Sequence, residues 1–80
     1  MDNKVNYDRV FIETFDLDEK MLNDKLEYNS IEAWDSIGHM QMIAELEDKF
    51  NIEFEMDDII NFSSYNKGME LLEKYGIELQ

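Results

Sequence analysis

The sequence predicts an all-α fold, a small four-helix bundle of three main helices and one short helix, with a long loop between helices 1 and 2. Three observations lead there. Apolar residues recur at three- and four-residue steps in separate windows, the spacing that gathers side chains on one face of a helix. The 80 residues include no cysteine and no proline, so neither a disulfide nor a thiolate metal site staples the chain and helix packing must supply its stability. Only Ile52 and Phe54 alternate with acids in the manner of a strand, and no other segment offers them a partner. A chain of this length makes a single domain, residues 1–80, and buries about 60% of the surface its unfolded form exposes.

The first helix is expected over residues 3–15, where Val5, Val10, Phe11, Ile12 and Phe15 keep a roughly helical spacing. Residues 16–34 scatter Met21, Leu22, Leu26 and Ile31 among polar residues. They read as a long loop pinned by a few apolar anchors, with a short helical turn. A loop of this length in a compact domain usually has a purpose.

Residues 36–50 carry the clearest helix. Ile37, Met40, Ile43, Leu46 and Phe50 are expected to face inward. Asp35 or Ser36 suits its N-cap, and Asn51 its stop. Ile52 and Phe54 then anchor an extended loop, and residues 56–60, MDDII, form a short helix. Ser63 or Ser64 caps a last helix, 65–75, with Met69, Leu72 and Tyr75 inward, and Gly76 ends it after Lys74.

Charge narrows the function. The net charge is −13, from 20 acids against 7 bases. Such a field repels nucleic-acid phosphates and anionic membranes and attracts basic protein surfaces. The acids cluster: Glu32, Asp35, Glu45, Glu47, Asp48, Glu53, Glu55, Asp57 and Asp58 share their stretch with one base, Lys49. No segment has the length of a signal-peptide apolar core or the ~18 apolar residues of a membrane span. We therefore expect a cytoplasmic monomer that binds no nucleic acid and inserts in no membrane. Hydrophobic residues make up 44% of the chain and are periodically placed, which favours a folded domain over an acidic disordered one.

Ser36, at the mouth of the best helix, admits three readings. A helix N-cap is the plainest, since a serine oxygen there accepts from a free backbone N–H. A nucleophile is the second, because Asp35, Ser36 and His39, the single histidine, lie close together. That needs a base aimed at the hydroxyl and an acid behind the base, and Asp35 would approach the imidazole from the wrong side. A covalent attachment site is the third: a serine at a helix N-terminus is exposed, and the helix dipole favours an adjoining phosphate.

The run Trp34-Asp35-Ser36-Ile37-Gly38-His39-Met40, followed by Ala44-Glu45-Leu46-Glu47-Asp48-Lys49-Phe50-Asn51-Ile52, resembles the acyl carrier proteins and the related peptidyl and D-alanyl carriers. Their motif is Asp-Ser followed by a bulky aliphatic residue, here Ile37. The likeness continues through Phe54, "EMDDI" and "NFSSYNKGMELLEKYGIEL", and so covers residues 34–79.

The resemblance implies a small acyl-carrier-like four-helix bundle that is not itself an enzyme. A phosphopantetheinyl transferase would attach 4'-phosphopantetheine, from coenzyme A with magnesium, to Ser36, with Asp35 as the adjacent motif residue. The terminal thiol would carry acyl groups as thioesters between enzymes of a biosynthetic pathway, which suits a chain without cysteine. Partners would be an acyl- or aminoacyl-activating ligase and an acyltransferase or synthase. They would dock on Ile37, Gln41, Ala44, Glu45, Glu47 and Asp48, and no resident metal is expected.

Three residues depart from the fatty-acid carriers: Gln41 stands for an acid, Ala44 for a larger apolar residue, and Trp34 is more like the D-alanyl and peptidyl carriers. A discrete carrier of a specialised pathway fits best. The alternatives are an aminoacyl carrier of the D-alanyl or peptidyl type and an unmodified acidic adaptor of the same fold.

Other features carry less. Asp16-Leu17-Asp18 lacks the glycine and spaced oxygens of a calcium loop. His39 is expected as a surface or half-buried residue near the arm. Gly38 costs its helix about 1 kcal/mol against alanine, which close approach of an enzyme to Ser36 would explain, as would imperfect sequence design. Met40, Met42, Met56 and Met69 read as adaptable filler of a core or interface.

Overall fold

The computed structural model describes residues 2–79. It contains four α-helices and no strand among them. Helix α1 (Asn3–Phe15) begins behind Asp2, whose carboxylate accepts from the Lys4 N–H at 3.0 Å, and ends on Asp16 in the left-handed conformation. One 3₁₀ turn, Glu19–Met21, interrupts the long connection to α2 (Ser36–Phe50). Asn51, at φ 54°, closes α2 in the same left-handed way, with its N–H bonded to the Glu47 carbonyl. Short polar side chains tolerate that conformation better than apolar ones do. Helices α3 (Met56–Asn61) and α4 (Tyr65–Lys74) follow, and the Ser64 hydroxyl caps α4 by accepting from Lys67 N–H at 2.9 Å.

The core is aromatic at its centre. The Phe11 ring lies 5.0 Å from Tyr7, 5.4 Å from Trp34 and 5.5 Å from Tyr65. Offset and edge-on pairs of this kind add to the gain from burying the rings. Trp34 and Tyr7 have no exposed surface. Burial pushes the Tyr7 phenol well above its ordinary pKa, and its O–H donates to the Tyr65 carbonyl at 2.6 Å, so a buried polar group keeps a partner. Met42, Ile43 and Leu46 of α2 and Leu72 of α4 fill the rest.

The long loop is fastened mainly by its backbone. The Tyr28 N–H donates to the Ser63 carbonyl, Tyr65 N–H to the Leu26 carbonyl and Asn29 N–H to the Trp34 carbonyl, all at 2.9 Å. An isolated bridge joins Glu27 to Ser64. Among the expected anchors Leu26 is buried, Leu22 and Ile31 are half-buried and Met21 is exposed. Trp34 is the deepest anchor of the segment.

The inward faces differ from the sequence expectation in two helices. In α2, Ile37 and Met40 are 72% and 51% exposed, while Gly38, Met42, Ile43 and Leu46 are buried. Ile37, Met40, Met42, Ile43, Ala44, Leu46 and Phe50 surround so much of α2 that periodicity alone permits more than one inward face. Gly38 settles the choice: a Cβ there would stand 2.0 Å from the Ala33 carbonyl oxygen, so this side of α2 lies against the chain. In α4 the buried residues are Tyr65, Gly68, Leu71 and Leu72, with Met69 half-buried; Tyr75, also half-buried, is the C-cap, so the helix ends one residue before the expected 75. Met56, expected as filler with Met40, is 72% exposed.

One acid of the "EMDDI" segment is internal. Asp58 is 4% exposed. Its carboxylate accepts from Lys74 Nζ at 2.9 Å and from the Tyr75 O–H, which ties α3 to the end of α4.

Candidate functional site

The residues around Ser36 are placed by the start of α2. Asp35 is the N-cap: its Oδ1 accepts from the Gly38 N–H at 2.8 Å. Ser36 is therefore the first helical residue and not the cap, which corrects the plainest reading of it. Its side chain is exposed, and its Oγ shares a hydrogen bond of 3.0 Å with the Tyr28 hydroxyl. Capping by the neighbour leaves the serine oxygen available.

His39 is half-buried, as expected, but both of its ring nitrogens are engaged. Trp34 Nε1–H donates to Nδ1 at 2.9 Å, and Nε2 lies 2.8 Å from the Ile59 carbonyl oxygen. A carbonyl only accepts, so the proton sits on Nε2. With one nitrogen accepting from an indole and the other donating to a carbonyl, the imidazole is not placed to take the Ser36 proton. Asp35 is committed to the helix N-terminus. The three residues do not assemble the relay that a serine nucleophile needs.

Beside Ser36 runs an apolar groove of about 390 Å³, walled by Met40, Met56, Ile59, Ile60 and Phe62, with Tyr28 and Ser36 also lining it. Ile37, Met56 and Ile60 are each more than 70% exposed. So much apolar surface around one hydroxyl marks a place where something docks. An anion on Ser36 would also meet the positive end of a fifteen-residue helix. An exposed oxygen free of capping duty, an anion-favouring helix end and an adjacent apolar groove thus meet at Ser36. Among the described residues no cluster of His, Cys, Asp or Glu is arranged to hold a metal ion.

A family model described as a phosphopantetheine attachment site matches residues 11–67, well over half of the chain. The chain belongs to that family. It is a carrier domain that bears covalently attached 4'-phosphopantetheine. The matched span runs from α1 into the first turn of α4 and contains Ser36. Comparisons with curated proteins and with solved structures give no significant match. No helix of the carrier is long and apolar enough, among the described residues, to cross a membrane.

The residues expected to dock partners fall in different settings. Ile37 stands beside Ser36, exposed, and Asp48 is exposed further along α2. Gln41, Ala44 and Glu45 are exposed and line a second groove, against Val10 and Glu13 of α1. Glu47 differs: it is half-buried, and its Oε2 accepts from the Phe54 N–H at 2.9 Å, bracing the loop after α2. Sequence reasoning missed Tyr28, and also Ile60, which enlarges the apolar surface beside Ser36. The one signal for Tyr28 is an aromatic ring among polar neighbours, Glu27, Asn29 and Ser30.

Proposed function

We propose that Ser36 is the attachment site and that this carrier holds acyl intermediates as thioesters, passing them between enzymes of a biosynthetic pathway. The observation that carries this reading is the exposed Ser36 Oγ, released from capping by Asp35 and set beside the apolar groove. The phosphopantetheine arm supplies the thiol that the chain lacks.

The chain's own residues do the rest. Asp35 fixes the first turn of α2 and so the position of the serine. Ile37, Met40, Met56 and Ile60 offer apolar contact around the attachment point. The exposed acids, Glu45 and Asp48 among them, steer basic partner surfaces toward it, an effect on association rate that salt weakens. The partners are a phosphopantetheinyl transferase, an activating ligase and an acyltransferase or synthase.

The test is intact mass after co-expression with a broad-specificity phosphopantetheinyl transferase. The wild-type chain is expected to gain one phosphopantetheine and Ser36→Ala none. No gain by the wild type, or a gain that survives Ser36→Ala, overturns the assignment. Offering the loaded protein to acyl- and aminoacyl-activating ligases then separates the two cargo classes. An unmodified adaptor would keep its function with Ser36→Ala.

A further inference from the structure

We infer that Tyr28 is a positioning residue for the arm: its phenol O–H holds the Ser36 oxygen before loading and donates to the phosphodiester afterwards. This rests on Ser36 being the attachment site. Tyr28 OH lies 3.0 Å from Ser36 Oγ, and no other side chain is hydrogen-bonded to that oxygen among the described residues.

The phenol is held in place from three directions. Its backbone N–H is bonded to the Ser63 carbonyl, and the neighbouring Glu27 bridges to Ser64, so the loop is tied to the α3–α4 connection. Its ring packs edge-on against His39, with centroids 5.6 Å apart and planes at 82°. His39 is itself fixed through both nitrogens, by Trp34 and by the Ile59 carbonyl. A residue in a long polar loop is thereby aimed at one oxygen.

Loading forms the Oγ–P bond and breaks the phosphoanhydride P–O bond of coenzyme A. Adenosine 3',5'-bisphosphate leaves with the bonding electron pair, and the serine proton goes to the transferase. Oγ then has no proton and can only accept. The non-bridging oxygens, which share the negative charge, are the stronger acceptors. They lie one bond beyond phosphorus, within reach of a phenol that already touches Oγ. No lysine or arginine lines the groove at Ser36 among the described residues. The chain's side-chain donor to this anion is therefore a neutral hydroxyl, and its bond becomes charge-assisted on loading.

The experiment compares wild-type protein and Tyr28→Phe, both fully loaded by excess transferase and coenzyme A as judged by intact mass, using phosphorus NMR. The substitution keeps the ring against His39 and removes only the hydroxyl. The phosphodiester resonance is expected to move, and its relaxation to report a more mobile arm, while α4 amide shifts stay in place. Wild-type protein with labelled tyrosine gives a second readout that does not depend on the variant's folding: the Tyr28 Cζ resonance should shift on loading. Identical phosphorus shift and relaxation in the two proteins, or a Tyr28 Cζ that ignores loading, overturns the role of Tyr28 and leaves Ser36 intact. A wild-type chain that gains no arm overturns both.

Discussion

Gly38 stands in the first turn of α2, where helix propensity alone favours alanine by about 1 kcal/mol. By sequence alone, close approach of an enzyme to Ser36 and imperfect sequence design explain it equally. The structure gives a nearer cause, since a Cβ would stand 2.0 Å from the Ala33 carbonyl oxygen and 3.2 Å from a Phe15 ring carbon. Backbone has little freedom to move aside. Gly38→Ala is expected to lower stability by about 1–3 kcal/mol through overpacking, measured by urea unfolding, and a gain in stability would show that the turn yields. Asp35 and Ser36 teach the complementary lesson. Either side chain suits an N-cap by type, and only the backbone path decides which carboxyl or hydroxyl meets the Gly38 N–H. Asp35 does, and this leaves Ser36 free.

At the scale of elements, the short helix α3 depends on α4. Six residues cannot sustain a helix alone, and Asp58 links this one to Lys74 and Tyr75. Hydrogen bonds from Tyr75 and then from Lys74 hold the Asp58 carboxyl below its ordinary pKa of 3.8. A lowered folded pKa adds stability above the ordinary carboxylate range, and that stability is lost as pH falls through the folded value. Asp58→Asn is therefore expected to lower the thermal midpoint at neutral pH, with the deficit shrinking toward the acid side of 3.8. Calorimetry across that range checks it, and a deficit independent of pH would assign the effect to shape alone. Because α3 carries Met56, Ile59 and Ile60 to the groove beside Ser36, this linkage also keeps the site's apolar wall in place.

Across the whole molecule, a net charge of −13 on 80 residues makes the folded state repel itself. Raising salt from about 0.01 M to about 0.15 M shortens the screening length from about 30 Å to about 8 Å. The thermal midpoint should rise on the order of 5 °C, the shift that about 1 kcal/mol gives a domain of this size. A scan at the two salt concentrations reads it, and a falling midpoint would mean that ion pairs such as Lys4–Asp8 and Lys74–Asp58 outweigh the repulsion.

Helix boundaries were legible in the sequence because their signals are local: apolar spacing, a capping Asp or Ser, a closing Asn or Gly. The bounds of α1 and α2 match the expectation, and so does the carrier family, whose motif is contiguous in the chain. Tertiary structure alone decided which side of α2 faces inward, because its apolar residues cover too much of the helix for spacing to choose. It also decided that Asp58 is internal, that His39 is held by Trp34 and Ile59, and that Tyr28 meets Ser36. Each of these joins groups from different segments, and the distance between segments is set by packing that no local pattern encodes.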